Sequence, residues 1–390
     1  MENQGKNETF RVALLIPPIG EYERGLLKGI AEYAQLHGPW YFLRNKPYYI
    51  LPNQHEISIN QLIEWKPDGI ILSENNDTQK IIDTGIPVVI SGSTKIYNNC
   101  INILSNDKKI GAIGAEYFIR KGYRNLAFVG SSKLFWSIDR YEGFKASIQN
   151  IQTLHHFQFE WDNDQQQNNF DNLYHWLFSL PKPIGLLACS DHFSQIVLDA
   201  CIQKKIKVPD QVAILGVDND ELICKIANPA LSSIDQYSTK TGIKAASALH
   251  EWMKNSTIDF KRQNIHSEFF SICSRPSTDI LAVQDKEIVK ALKFIENLDT
   301  SKTISIEAVV NQTFLSRRVL EMKFRKYLGK TIGEEIRAKR MKEIEKLLLF
   351  TNFNITEIAY KCGFSSDKNI ASFFKKHHNI SPLEFRKLYK

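Results

Sequence analysis

Two stretches near the end of the chain decide its fold: Ile306–Leu328, IEAVVNQTFLSRRVLEMKFRKYL, and Ile355–Phe374, ITEIAYKCGFSSDKNIASFF. Each reads as a short apolar helix, a break, and a second apolar helix. In the first, Ile306, Val309 and Val310 precede a break at 312–315, and Ser316 opens a helix through Leu320, Phe324 and Leu328. In the second, Ile355, Ile358 and Ala359 precede Gly363-Phe364, and Ser366 leads into Ile370, Phe373 and Phe374. Hydroxyl or amide side chains stand where helices begin, suited to satisfy backbone N–H groups that have no intrahelical partner. One such unit resembles many helical hairpins. Two in tandem, about fifty residues apart and joined by a basic helix, form a specific helix-turn-helix pattern.

Working outward, charge follows this segment. From Val283 to Lys390 there are 22 Lys+Arg against 13 Asp+Glu, a net +9, while the other residues carry 28 against 30, a net −2. A cation excess confined to the tandem motif suits a surface that neutralises phosphates. The 390 residues allow two or three domains. Six cysteines (Cys100, Cys189, Cys201, Cys224, Cys273, Cys362) occur singly, mostly in apolar stretches, which predicts reduced packed thiols and neither disulfides nor a metal site. The N-terminus does not read as an export signal, because Glu2 and Glu8 precede a short apolar run that Pro17-Pro18 ends. No stretch reaches the length needed to span a bilayer. A soluble, intracellular protein without a membrane partner is expected.

Upstream, short β-branched runs alternate with amphipathic helices. Strands are predicted at 12–16, 69–72, 87–90, 126–129, 185–188 and 212–217. Helices are predicted at 21–37, 78–84, 106–120, 139–149 and 191–204. That alternation implies parallel sheets covered on both faces, with ligands gathered at the carboxyl ends of strands. Those ends hold Glu21, Tyr22, Glu23 and Arg24; Trp136, Asp139 and Arg140; Asp191; and Asp218, Asn219, Asp220 and Glu221. Carboxylates accept from vicinal hydroxyls, Arg donates through a rigid fork, and an indole stacks on C–H edges, so the set suits a small polyol. Taken singly, each residue suits a structural role instead, such as an Arg140 pair with Asp139 or Asp191, or Asp218 as a helix cap.

Two families are then resembled. Residues 10–275 resemble the sugar-sensing core of LacI/GalR regulators, a two-lobed periplasmic-binding-protein fold. The match rests on Asn106-Asp107 with Gly111, the run Lys121 to Gly130, Arg140 with Gly143-Phe144, Ser190-Asp191, Val208 to Val212, Gly216 to Asn219, and Asn228 to Ile234. The order Asn106-Asp107 reverses the family's Asp-Asn. Residues 284–390 resemble the AraC/XylS DNA-binding domain through Ser316, Leu320, Phe324 and Gly329, then Ile355 to Ala359, Gly363-Phe364, Phe374 to Lys376, and Ser381 to Arg386. Val310 and Phe314 replace the family's Ala and Gly. Because Phe resists positive φ, the first turn is expected to be built differently from the second.

The resemblance implies a tail at 1–9, a sensor at 10–276, a linker at 277–284 and an all-α tandem helix-turn-helix domain at 285–390. It implies a transcriptional activator, not an enzyme, working as a homodimer on double-stranded promoter DNA with RNA polymerase, in the bacterial cytoplasm and associated with the nucleoid. The effector implied is D-xylose or a related pentose; another aldose or small polar metabolite in the same architecture is the alternative. No cofactor or catalytic residue is expected. The ligand set is Arg24, Trp136, Arg140, Asp191, Asp218 and Asn219, with Arg140 as anchor and chain crossings near Leu104, Ser232 and Lys261.

By position in the family pattern, Arg318, Glu321 and Met322 face base edges in the first unit and Asp367, Lys368 and Ser372 in the second. Arg317 joins this DNA-binding set, and Arg325, Lys326, Lys375 and Lys376 hold phosphates. The joining helix, opened by Thr331 and Glu334 as a capping box, is expected to run to about Phe350. At 1.5 Å per residue, about 17–18 residues give about 26 Å, suited to reading helices one DNA turn apart. Asn354 with Glu357 and Ser381 with Glu384 repeat the start signal.

Rival classes lack their marks. A dinucleotide-binding enzyme needs a glycine fingerprint after its first strand, and Pro17-Pro18 stands there instead. Ser190-Asp191-His192 has no nucleophile elbow. A transport binding protein needs an export signal and has no use for a basic tail. His155-His156 and His377-His378 lack further ligands nearby and are expected at the surface or facing nucleic acid.

Overall fold

The computed structural model describes residues 9–45, 57–148, 152–160, 166–255, 264–267, 270–282, 285–302, 305–378 and 380–389. They fall into two compact units: residues up to Glu116 with Asn125–Asp279, and Tyr117–Arg124 with Ile280–Lys390.

The first unit is two lobes, each built on a six-stranded sheet. In chain order its elements are β1 (Phe10–Leu15), α1 (Glu21–His37), β2 (Trp40–Arg44), α2 (Ile59–Trp65), β3 (Gly69–Ser73), α3 (Thr78–Ile82), β4 (Val88–Ser91) and β5 (Ile101–Ser105). Then follow α4 (Asp107–Arg120), β6 (Asn125–Ser131), α5 (Phe135–Ala146), β7 (Thr153–Phe159), α6 (Gln166–Ser179), β8 (Ile184–Ala188), α7 (Asp191–Gln203) and β9 (Val212–Val217). Last come α8 (Glu221–Ile226), β10 (Ser232–Asp235), α9 (Ser238–Lys254), β11 (Ile265–Ser267) and β12 (Ser271–Cys273). The first sheet has order β11-β5-β4-β3-β1-β2 and the second β12-β10-β9-β8-β6-β7. All recorded pairings are parallel except β10 with β12. Strands covered on both faces must be apolar throughout, and β8 and β9 are buried at every residue. In the first lobe α9 lies against α1, and Ala245, Ala246 and Leu249 join Leu26 and Ile30 in one core.

Among the described residues the chain changes sheets three times. The first change follows Ser105, beside the expected Leu104. The second follows Asp235 rather than Ser232, because Ser232–Asp235 still pairs with β9. The third was expected near Lys261, which lies outside the described residues. It falls between Ser267 and Ser271 instead, since β11 pairs with β5 and β12 with β10.

The second unit is helical: α10 (Lys286–Glu296), α11 (Ile306–Val310), α12 (Arg317–Leu328), α13 (Ile332–Phe350), α14 (Ile355–Lys361), α15 (Asp367–His378) and α16 (Pro382–Tyr389). Ile288, Leu292 and Ile295 of α10 pack with Val309, Leu320, Phe324 and Ile336. The capping boxes form as the spacing predicts: Thr331 with Glu334, and Asn354 with Glu357. Ser381 and Glu384 exchange the same pair of bonds, at 2.7 and 3.2 Å. α13 has 19 residues, so it spans about 28 Å. Among the described residues no helix is long and apolar enough to cross a membrane.

Candidate ligand cleft and nucleic-acid interface

Strand order in the second sheet reverses between β6 and β8, and a crevice at such a point is where parallel sheets take ligands. Arg140 sits there. It lies on α5, which starts at Phe135, so Trp136 and Arg140 are one helical turn apart on a helix rather than in a loop. The indole covers the guanidinium at 4.7 Å. Glycines let α5 approach α4: a Cβ at Gly111 would meet Arg140 O at 1.9 Å, and one at Gly143 would meet Lys108 O at 1.8 Å. That close approach brings Asp107 to Arg140.

Arg140 Nε donates to Asp107 Oδ1 at 2.8 Å, and Nη1 donates to Cys189 O. Both side chains of this ion pair are buried, 6 % and 5 % exposed. Asp218 Oδ1 stands 4.0 Å from Arg140 Nη1, too far for a hydrogen bond, and accepts from Gln236 Nε2 at 2.5 Å. Burial pushes the Asp218 carboxyl up to about 7, although Arg140 opposes the shift. From the other lobe, Tyr22 feels the charges of Asp107 and Arg140 and bonds Ser91; desolvation raises its phenol well above the ordinary value. Gln236 Oε1 is buried without a partner among the described residues, an acceptor free for a hydroxyl.

Three members of the expected ligand set are engaged by the protein. Asp191 is 1 % exposed, and its Oδ2 accepts the Asp220 N–H at 2.7 Å, so it supports the start of α8. Its carboxyl is pushed up to about 8 by burial and then by Asp218. Asn219 donates to Asp235 at 3.1 Å and accepts from Arg275 at 2.7 Å, in backbone of positive φ (55°). Arg24 bonds Glu21 at 3.0 Å and pairs with Asp220 of the other lobe, so it ties lobe to lobe. The structural pairing foreseen for Arg140 with Asp139 or Asp191 goes to Asp107 instead. Asp107, Gln236 and Tyr22 were not in the expected set. Asp107 carried a signal, since Asn106-Asp107 already marked the family resemblance. Gln236 carried none.

In the second unit Leu320, Phe324 and Leu328 face the core of α12, and Ile370 and Phe374 that of α15. Arg318, Met322 and Arg325 form the opposite, exposed stripe of α12, and Lys368, Ser372 and Lys375 the matching stripe of α15. Arg317, Lys326, Asp367 and Lys376 are exposed beside them. Arg317 is paired with Glu307 at 2.7 Å, and Glu321 Oε2 accepts the Ile332 N–H at 3.4 Å, so these two are partly engaged.

The two turns differ as expected. Gly363 takes φ +74°, whereas no residue from 311 to 316 has positive φ. The Phe314 N–H donates to Glu287 Oε2 of α10 at 2.7 Å, and the ring, 91 % exposed, lies under Lys290 at 4.5 Å. The histidine expectation is corrected in part. His156 is half-buried on β7 and stacks on Tyr141 at 3.7 Å, and burial pushes it down to about 4. His378 pairs with Glu345 at 2.7 Å and stacks on Phe374. His377 is exposed.

Residues 115–278 match the model of a periplasmic binding protein-like domain, and residues 309–388 match a helix-turn-helix domain. The xylose operon regulatory protein of Escherichia coli (strain K12) is 26 % identical over 388 residues, covering 96 % of both chains. That of Haemophilus influenzae is 28 % identical, covering 97 % of this chain and 98 % of the relative. Among solved structures, a xylose-binding transcription activator, xylR, aligns with a TM-score of 0.60 and 25 % identity over 98 % of this chain and 99 % of that one. These relatives are transcription regulators and not enzymes. The chain is a homologue of the xylose operon regulatory proteins, with a periplasmic binding protein-like domain followed by a helix-turn-helix domain of the AraC type.

Proposed function

We propose that the protein regulates transcription of pentose-catabolic genes, taking D-xylose between its lobes and activating from promoter DNA. Arg140 anchors the sugar, Trp136 stacks on it and Asp218 exchanges hydrogen bonds with its hydroxyls. The observation that carries this reading is the buried Arg140–Asp107 pair at the strand-order reversal, with Asp218 4.0 Å away. A hydroxyl inserted there accepts at its oxygen from the guanidinium and donates its O–H to the carboxylate, bridging groups that do not bond each other directly.

Sugar shifts the equilibrium toward the closed lobes only by its preference for that form. The protein acts as a homodimer in the bacterial cytoplasm, on the nucleoid, and engages RNA polymerase. α12 and α15 enter successive major grooves, with Arg318, Met322, Lys368 and Ser372 toward bases and Arg325, Lys326, Lys375 and Lys376 toward phosphates. The test is calorimetric titration with D-xylose beside a panel of aldoses, followed by duplex binding with and without the sugar that binds. D-Xylose is expected to bind and to tighten promoter binding. A protein that ignores promoter duplexes at low ionic strength under either condition overturns the reading.

A further inference from the structure

α13 was expected to act as a spacer that sets the distance between two reading helices. Its first turns carry more than a spacer needs. A surface depression opens between α12 and the start of α13, lined by Ile306 of α11, by Glu321, Met322 and Arg325 of α12, and by Thr331, Gly333 and Arg337 at the start of α13; the Glu321 carboxylate is turned to the Ile332 N–H. Arg325 belongs to the exposed stripe of α12, so the depression is continuous with the surface assigned to DNA.

Both guanidinium groups are exposed. Among the described residues neither makes a side-chain hydrogen bond or a close ion pair, although the Glu334 carboxyl, held below its ordinary value first by its bonds from Thr331, is also lowered by the charge of Arg337. Nearby cations are treated differently: Arg317 pairs with Glu307, Lys323 with Asp285 and Lys290 with Glu287. Gly333 shapes the place for Arg337. A Cβ there would stand 3.3 Å from Arg337 Nη1 and 3.7 Å from Ile306 Cδ1, so the missing side chain lets the guanidinium lie back along the helix. The backbone at this end is already satisfied: Thr331 and Glu334 form a capping box, and the Ile332 N–H goes to Glu321. An anion here is therefore held by the two arginines and not by the helix end.

We infer that Arg337 and Arg325 together grip one phosphodiester of the duplex backbone, making α13 a third DNA-contacting element between the two reading helices. A guanidinium fork matches phosphate geometry, and two forks converging from different helices fix its position without reading sequence. The inference rests on the DNA-binding reading above.

The test uses the full chain and fluorescence anisotropy across a salt series. One duplex is selected by the wild-type protein from a random pool; the other is an unselected random duplex. Arg337→Ala is expected to weaken both by a similar factor, roughly tenfold, and to lower the slope of log K against log[salt] by about 0.9, the value for one phosphate. Arg337→Lys is expected to keep most of the slope. The melting temperature should be unchanged, because the side chain is exposed and unpaired. An unchanged slope overturns the inference while wild-type binding leaves the DNA-binding reading intact. Loss confined to the selected duplex overturns it as well, reassigning Arg337 to a base. If the wild-type protein binds neither duplex, both fall.

Discussion

Removing the Arg24 guanidinium, as Arg24→Met, should weaken sugar binding without touching the sugar. Arg24 rises from α1 in the first lobe and meets Asp220 at the start of α8 in the second. Asp220 is held firmly: its Oδ1 caps the N–H groups of Leu222 and Ile223 at 3.1 and 3.2 Å, and its own N–H is bound by Asp191. Arg24 is steadied from below by Glu21 and by the Ile19 carbonyl at 3.3 Å. The Asp220 side chain is 7 % exposed but that of Arg24 is 39 % exposed, so water and salt screen the pair from one side. Its worth falls between an exposed pair, at most ~1 kcal/mol, and a buried one, ~3–5 kcal/mol when broken, which gives about 1–2 kcal/mol. That shifts a lobe-closure equilibrium by about 5- to 30-fold. If the sugar needs closed lobes, apparent affinity drops by a factor approaching this one.

Calorimetry on the wild type, Arg24→Met, Asp220→Asn and the double variant measures the drop, and X-ray scattering follows the lobes. Asn keeps an oxygen for the α8 cap, so Asp220→Asn removes the charge alone. Each single variant should lose affinity by a similar factor and the double variant no more than either. Strictly additive losses, or wild-type affinity in Arg24→Met, would refute the lobe-bridging argument.

Arg140→Met should abolish sugar binding and also lower stability by about 3–5 kcal/mol, because Asp107 is left buried without its partner; urea melts and titration heats check both, and a variant of wild-type stability would refute the pairing. Asp191 and Asp218 have raised folded pKa values, about 8 and about 7, so between about pH 4 and pH 8 the folded protein holds protons that the unfolded chain has released. Stability should accordingly fall as pH rises through this window and level off above it. Asp191→Asn should flatten the urea-midpoint profile, and an unchanged profile would count against its protonation. Arg318→Ala should cost about 1–3 kcal/mol on a selected duplex and relax one base position; equal weakening on every sequence would reassign it to a phosphate.

Much of the architecture was written locally. Glu21–His37 was predicted residue for residue, because a turn precedes it, Gly38-Pro39 follows it, and an uninterrupted apolar face lies between. The buried strands β3, β8 and β9 were visible as short apolar runs. β7 was not: Thr153–Phe159 reads TLHHFQF, two histidines interrupt it, and both its pairing with β6 and the stacking of Tyr141 on His156 are contacts with other elements. β10 to β12 have three or four residues each, too short for any periodicity to register. The helix starts fared best because a cap is a contact between residues three apart, so Thr331, Asn354 and Ser381 could be read without knowing the fold.

The cleft was half legible for the converse reason. Position at a strand's carboxyl end put Arg140, Trp136 and Asp218 in one place, and the fold brings them together. Position alone could not say which partner each polar group takes. Arg140 takes Asp107, 33 residues away, because Gly111 and Gly143 let two helices touch, and Asn219 is drawn to Arg275, 56 residues away. A buried charge must be paired wherever the fold supplies a partner, and neither the adjacent Asp139 nor the strand-end Asp191 is brought to Arg140 as Asp107 is. Asp218 keeps its distance from Arg140 while Asp107 closes on it, and that asymmetry leaves the gap into which the sugar hydroxyl is proposed to fit. Were Asp218 to close the same distance, Nε and Nη1 of Arg140 would both be held by protein and the gap for that hydroxyl would be gone.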